Sequence, residues 1–276
     1  MKIALSALLL AALATLALLL RRAQRRMIYH PRPYPEPLVL PAGVEPLEYR
    51  TGQGRQTAFY LPPAAHAAAR APNLWLLCGG NSALALDWLD LLADFPDPAA
   101  AFLLLDYPGY GRCQGHPGPQ AIAESVEAAL ATLAAHLQVP ARETEQNLQA
   151  LGHSLGTAAV LLAAVRHPVK RLVLISPFTS LKDVAALLVG RLLSRTLCHD
   201  YDNRARLREV LAQEVPPAIT IIHGSHDKII PVAMGRELAA LSPRIVYREI
   251  ERGDHNYILL TNQDEIRRAM GGEEPQ

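Results

Sequence analysis

Gly152-His153-Ser154-Leu155-Gly156 lies between an apolar run, Leu148 to Leu151, and an alanine-rich run that begins at Leu155. Apolar strand, tight glycine-flanked turn and helix, in that order, lift a serine hydroxyl above the edge of a sheet. Both glycines are needed because a residue on so sharp a turn has a strained backbone, and a Cβ two positions to either side would crowd strand or helix. The Leu155 N–H, at the start of the helix, then points to where negative charge would develop on a substrate oxygen.

The same strand-and-helix grammar repeats outward from this pentapeptide. Short apolar runs at Leu74 to Leu77, Phe102 to Leu105, Leu148 to Leu151, Leu172 to Ile175, Ile219 to Ile222 and Ile245 to Ile250 read as strands buried on both faces of a mostly parallel sheet. Two earlier strands, near Leu47 to Arg50 and Thr57 to Leu61, are joined by a turn containing Gly52 and Gly54. Helices are expected at Ala83 to Leu92, Pro119 to Leu137, Leu155 to Val165, Leu181 to Leu197, Ala205 to Gln213, Val232 to Leu241 and Ile258 to Met270. Alternation of this kind predicts an α/β fold with a doubly wound sheet.

A serine nucleophile needs a base, and the base needs a carboxylate to orient it. Asp227 lies on the loop after the Ile219 to Ile222 strand, in His223-Gly224-Ser225-His226-Asp227-Lys228-Ile229-Ile230-Pro231, and His255 follows the last strand in Gly253-Asp254-His255-Asn256-Tyr257. Loops at the carboxyl ends of parallel strands converge on one crevice, so Ser154, Asp227 and His255 are the candidate nucleophile, orienting acid and general base. Asp254 competes for the acid role but is read as a cap of the following helix; His223 and His226 are read as structural. Gly79-Gly80-Asn81-Ser82 follows the Leu74 to Leu77 strand, and the Asn81 N–H is the candidate second oxyanion donor beside that of Leu155.

Composition sets the limits. At 276 residues, with 50% hydrophobic and 19% charged residues, the chain has a large apolar core to bury. A net charge of +1 supplies no electrostatic footprint for nucleic acid. Cys78, Cys113 and Cys198 are too scattered for a disulfide framework or a zinc site and are expected to be buried or half-buried thiols. No metal or organic cofactor is implied.

The amino terminus differs from the rest. Ile3 to Leu20 carries no charge and would run about 27 Å as a helix, close to the thickness of a bilayer's hydrocarbon. Arg21, Arg22, Arg25 and Arg26 follow it, against Lys2 in front. Residues 1–26 therefore read as an uncleaved membrane anchor with a basic flank, oriented with the domain in the cytoplasm; the alternative is a cleaved signal peptide and export. Residues 27–43, rich in proline, form a connector, and residues 44–276 form the domain, with a short helical cap at about 178–215.

Together the motifs resemble the α/β-hydrolase superfamily, in its membrane-associated branch of serine-aminopeptidase-like and depalmitoylase-like enzymes. The resemblance also rests on Asp106-Tyr107-Pro108-Gly109-Tyr110-Gly111 and Ser176-Pro177-Phe178-Thr179-Ser180. Such enzymes usually carry His-Gly-Asn where this chain has Gly79-Gly80-Asn81. The resemblance and the triad imply a serine hydrolase acting on a carboxylic ester or thioester with an acyl chain, over which the apolar stretch Val184 to Leu193, with Arg191, Arg195 and Arg204 around it, is expected to pack. Two alternatives are a serine-aminopeptidase-like peptidase and a membrane-tethered binding or scaffold protein of weak activity.

Overall fold

The computed structural model describes residues 2–64, 73–199 and 201–272, with the backbone alone for residues 2–9 and 13. The strands are β1 (Glu45–Thr51), β2 (Gly54–Leu61), β3 (Asn73–Cys78), β4 (Ala100–Leu105), β5 (Leu148–His153), β6 (Arg171–Ile175), β7 (Ala218–Gly224) and β8 (Ile245–Ile250). They form one sheet in the order β1-β2-β4-β3-β5-β6-β7-β8. β2 is antiparallel to β1 and β4, and every other pairing is parallel. The six apolar runs and the two earlier segments of the sequence are all strands.

Burial follows position in the sheet. Every residue of β4 is buried, as expected of a strand covered on both faces, whereas the edge strand β1 alternates between exposed and buried side chains. Chain order reverses around β3, whose neighbours are β4 on one side and β5 on the other. The crevice above the carboxyl ends of β3 and β5 is thus the topological switch point, where open α/β sheets hold their ligands. Strand ends are level there: His153 pairs with Ile175, and Ile175 with Ile222.

The helices are α1 (Lys2–Ile28), α2 (Leu89–Leu92), α3 (Pro119–His136), α4 (Ala141–Glu145), α5 (Leu155–Arg166), α6 (Leu181–Val189), α7 (Arg191–Ser194), α8 (Asn203–Leu211), α9 (Val232–Ala239), α10 (Ile258–Thr261) and α11 (Gln263–Gly271). Three differ from expectation. Ala83 to Leu92 is a 3-10 turn, Ala85–Trp88, running into α2. Leu181 to Leu197 breaks at Gly190, whose φ of 81° no ordinary helix accepts. Ile258 to Met270 breaks at Asn262, and α4 was not foreseen.

The connector is part of the domain and not a free linker. Tyr29 and Tyr34 are buried, and the Tyr29 hydroxyl hydrogen-bonds His199 Nδ1 at 3.0 Å and the Tyr201 hydroxyl at 2.9 Å. Among the described residues no helix is long and apolar enough to cross a membrane; the first part of the Ile3 to Leu20 run has side chains outside that set. Residues 65–72 likewise lie outside it. All three cysteines are free, Cys78 and Cys113 buried as expected, but Cys198 is exposed, on the irregular segment after α7.

Asp106, at the carboxyl end of β4, is buried, and burial pushes its carboxyl up to about 7 against the opposing pull of the Ala85 N–H, 2.8 Å from Oδ1. The folded state then holds a proton that the unfolded chain releases, so the contribution of Asp106 to stability is greatest at low pH and declines as pH rises toward 7. Relative to wild type, Asp106→Asn should remove about 2 kcal/mol of the stability loss between roughly pH 5 and pH 7.5. Parallel melting curves for the two proteins across that range would contradict it.

Candidate active site

Ser154 occupies the turn between β5 and α5 with φ 53° and ψ −117°, a left-handed conformation that costs a serine on the order of 1–3 kcal/mol. Its surroundings permit nothing else. A Cβ on Gly152 would strike the Gly156 carbonyl, and one on Gly156 would strike the Cys78 carbonyl at the end of β3. The Ser154 N–H donates to the Ile175 carbonyl at 2.9 Å, and the Thr157 hydroxyl donates to the Ser154 carbonyl at 2.6 Å. Asn203 Nδ2, from the first turn of α8, in turn donates to Thr157 Oγ1 at 3.1 Å.

Three loops meet above this turn. His255 Nε2 lies 2.9 Å from Ser154 Oγ, and His255 Nδ1 lies 2.6 Å from Asp227 Oδ2. Asp227 Oδ1 accepts the N–H groups of Ile229 and Ile230 at 2.9 and 2.8 Å, so its carboxylate is aimed before the histidine arrives. Burial opposes the charge on Asp227. Hydrogen bonds from His223 and His255 outweigh that and hold the carboxyl well below the usual range.

Two histidines join the group that the sequence reading left aside. His223, wholly buried at the end of β7, has Nε2 at 3.0 Å from the Ile230 carbonyl and 3.3 Å from Asp227 Oδ2. His153, inside the pentapeptide, donates from Nε2 to the His255 carbonyl at 2.9 Å, and its ring centre is 5.0 Å from that of His255. Burial, and then the neighbouring His255, lower the His153 pKa to about 3, so it stays neutral. The only sequence signals were proximity: His223 four positions before Asp227, His153 beside the serine. His226 is exposed, and Asp254 forms a local turn with the Asn256 N–H in place of a helix cap.

The loop after β3 is pinned from two sides. Tyr107 donates to the Gly79 carbonyl and Tyr110 to the Asn81 carbonyl, each at 2.6 Å. The His30 N–H also donates to the Asn81 carbonyl, at 3.0 Å, while Asn81 Nδ2 donates to the Ile28 carbonyl at 3.1 Å. A side chain at position 79 has no room, because its Cβ would lie 2.7 Å from that of Ala83. Gly80 lies against Ser154, where an added Cβ would come within 3.6 Å of the serine's own. Among the described hydrogen bonds neither the Leu155 nor the Asn81 N–H is spent on another acceptor.

A cavity of about 490 Å³ opens beside Ser154 and His255, lined further by Asn81, Trp88, Leu91 and Leu259. The apolar stretch Val184 to Leu193 does not line it: α6 buries none of its residues, and Arg204 is engaged with Asp183 and Glu237. No cluster of three or more His, Cys, Asp or Glu among the described residues could hold a metal ion.

Sheet order, elbow and convergent loops define an α/β hydrolase. The chain belongs to the serine aminopeptidase, S33, family, whose profile matches residues 76–213. It is 33% identical over 222 residues to an uncharacterized protein of Mycobacterium tuberculosis, covering 79% of this chain and 74% of that one. Among solved structures, an esterase of Pyrococcus furiosus superposes with a TM-score of 0.64 at 12% identity, over 89% of this chain and 100% of the other. A membrane phospholipase A described as a bacterial virulence factor superposes with a TM-score of 0.54 at 18% identity, over 98% of each chain.

Gly156→Ala drives a methyl group into the Cys78 carbonyl and must separate α5 from β3. The expected loss is about 2–4 kcal/mol, toward the upper end of the cost of an overpacked core site and beyond it. Denaturant midpoints check it; a change below about 0.5 kcal/mol would mean the helix is free to move.

Proposed function

We propose that the protein hydrolyses a carboxylic ester or thioester of an acyl chain, through an acyl-enzyme on Ser154. The observation that carries this reading is the unbroken chain from Ser154 Oγ to His255 to Asp227, with both links within hydrogen-bond distance. Ser154 Oγ attacks the acyl carbon as its proton passes to His255 Nε2, and Asp227 stabilises the imidazolium that forms. Charge gathers on the carbonyl oxygen, facing the N–H groups of Leu155 and Asn81. Collapse expels the alcohol or thiol, which takes its proton from His255. Water then repeats the sequence on the acyl-enzyme, with His255 as base, to release the acid.

The acyl chain and the membrane enter for one reason each. Trp88, Leu91 and Leu259 give the cavity apolar walls. Asn81, on the cavity wall, is hydrogen-bonded to Ile28 at the end of α1, so an uncharged Ile3 to Leu20 run embedded in a bilayer would hold the cavity close to lipid. On this reading the four arginines keep the domain on the cytoplasmic side. The phospholipase and the esterase to which the fold is similar act on ester bonds, which accords with the same chemistry.

One observation favours a peptidase as the second reading. Asp87 and Asp90 both line the cavity, and Asp87 is already paired with Arg32 and the Leu84 N–H, leaving Asp90 to meet a substrate amine.

A fluorophosphonate probe should label the wild-type chain on Ser154 and fail to label Ser154→Ala. Hydrolysis of p-nitrophenyl esters should fall on the order of 10³-fold or more in Ser154→Ala and His255→Ala. Turnover of aminoacyl anilides with none of esters would transfer the assignment to the peptidase, and a folded protein that takes up no probe would point to a binding protein.

A further inference from the structure

Helices α6 and α7 end in an apolar ridge that no described part of the fold covers. Leu187, Leu188 and Val189 close α6, and Leu192 and Leu193 lie in α7; all five are exposed, Leu188 and Leu192 at 78% each. Gly190 bends the chain between the two helices, with nothing within 4 Å of where its Cβ would stand. Single exposed leucines are ordinary on a protein surface. Five large apolar side chains within seven consecutive residues are a contact surface.

What the ridge meets is indicated by its neighbour. Gln24 of α1 donates from Nε2 to the Thr196 carbonyl at 2.9 Å and accepts the Cys198 N–H at 2.9 Å. Thr196 is two residues beyond α7, and Gln24 is four residues, about 6 Å of helix, beyond Leu20. The ridge therefore lies beside the point where α1 changes from leucine to arginine. Leu16, Leu18, Leu19 and Leu20 are exposed on one side of that point. Arg21, Arg22 and Arg26 on α1, with Arg191 and Arg195 around α7, are exposed near it.

We propose that residues 187–193 form a second membrane-contact site, which inserts its leucines into the interface of an anionic bilayer beside α1. The proposal rests on the membrane reading given under the proposed function. Apolar side chains flanked by arginine suit the boundary between acyl chains and anionic headgroups. A second copy of the chain suits it less, because a two-fold contact through this ridge would bring its own arginines against one another. Two contacts, α1 and the ridge, fix the tilt of the domain on the surface, which α1 alone leaves free.

The test uses full-length Leu188→Trp and, as control, full-length Val215→Trp. Val215 is equally exposed but precedes β7, at the amino ends of the parallel strands, away from the cavity at their carboxyl ends. Trp75 and Trp88 are buried and give a constant background. Each protein is reconstituted into vesicles of phosphatidylglycerol and phosphatidylcholine whose acyl chains carry bromine. Leu188→Trp should shift its emission to the blue and lose about half of the added intensity, while Val215→Trp keeps its own. Vesicle-bound protein with an unquenched Leu188→Trp overturns the ridge contact but leaves the α1 tether standing. Failure of the wild-type chain to associate with vesicles overturns both. A blue shift that depends on protein concentration, without quenching by bromine, assigns the ridge to a second copy.

Discussion

The close approach of α5 to β3 is the constraint from which the rest of the site follows. Only a residue without a Cβ at position 156 lets the helix start against the Cys78 carbonyl. That proximity forces the chain to leave β5 in a single residue, and the single residue is Ser154 at φ 53°. The cost of that conformation is offset by the packing of the surrounding sheet together with the hydrogen bonds of the Ser154 backbone to Ile175 and Thr157. The same approach brings the loop after β3 to the serine's side, so the candidate nucleophile and the candidate oxyanion loop are set by one packing contact.

Electrostatics around Asp227 are arranged to keep its charge in a buried setting. Two imidazoles and two backbone N–H groups converge on one carboxylate, which keeps Asp227 ionised although buried. His153, whose ring centre is 5.0 Å from that of His255, is held neutral by burial. A charged His153 would oppose the imidazolium; a neutral one donates a hydrogen bond to the His255 backbone and fixes where its ring can stand.

Strands and the three central residues were legible because each leaves a local trace. A strand covered on both faces is a run of apolar residues, as in β4, and the pentapeptide announces its own turn. Ser154, Asp227 and His255 could be ordered because parallel topology requires their loops to converge. Contacts between distant elements leave no such trace. Nothing near Tyr107 or Tyr110 in the chain says that their hydroxyls hold Gly79 and Asn81, and nothing near Asn203 says that it supports Thr157. The reading of Leu181 to Leu197 as one helix over the site failed because apolar character alone cannot say whether a side chain faces a core, a cavity or the outside.

The glycine at position 79 follows from the same long-range contacts. Where the resembling enzymes carry a histidine, this chain packs the Ala83 methyl group against the backbone, and a side chain there would have to displace it. Rigidity that a histidine would supply from inside the loop is supplied from outside by two tyrosine hydroxyls and by the Ile28 and His30 backbone. The carbonyl groups of Gly79 and Asn81 are both held, so the peptide planes that flank the Asn81 N–H, which carry the Gly80 and Ser82 N–H groups, have little freedom to rotate. Because two of those restraints come from the last turn of α1 and the residue after Tyr29, the geometry of the candidate oxyanion loop depends on how α1 is seated. A segment that the sequence presents as an anchor separate from the domain is thus joined to the wall of the cavity.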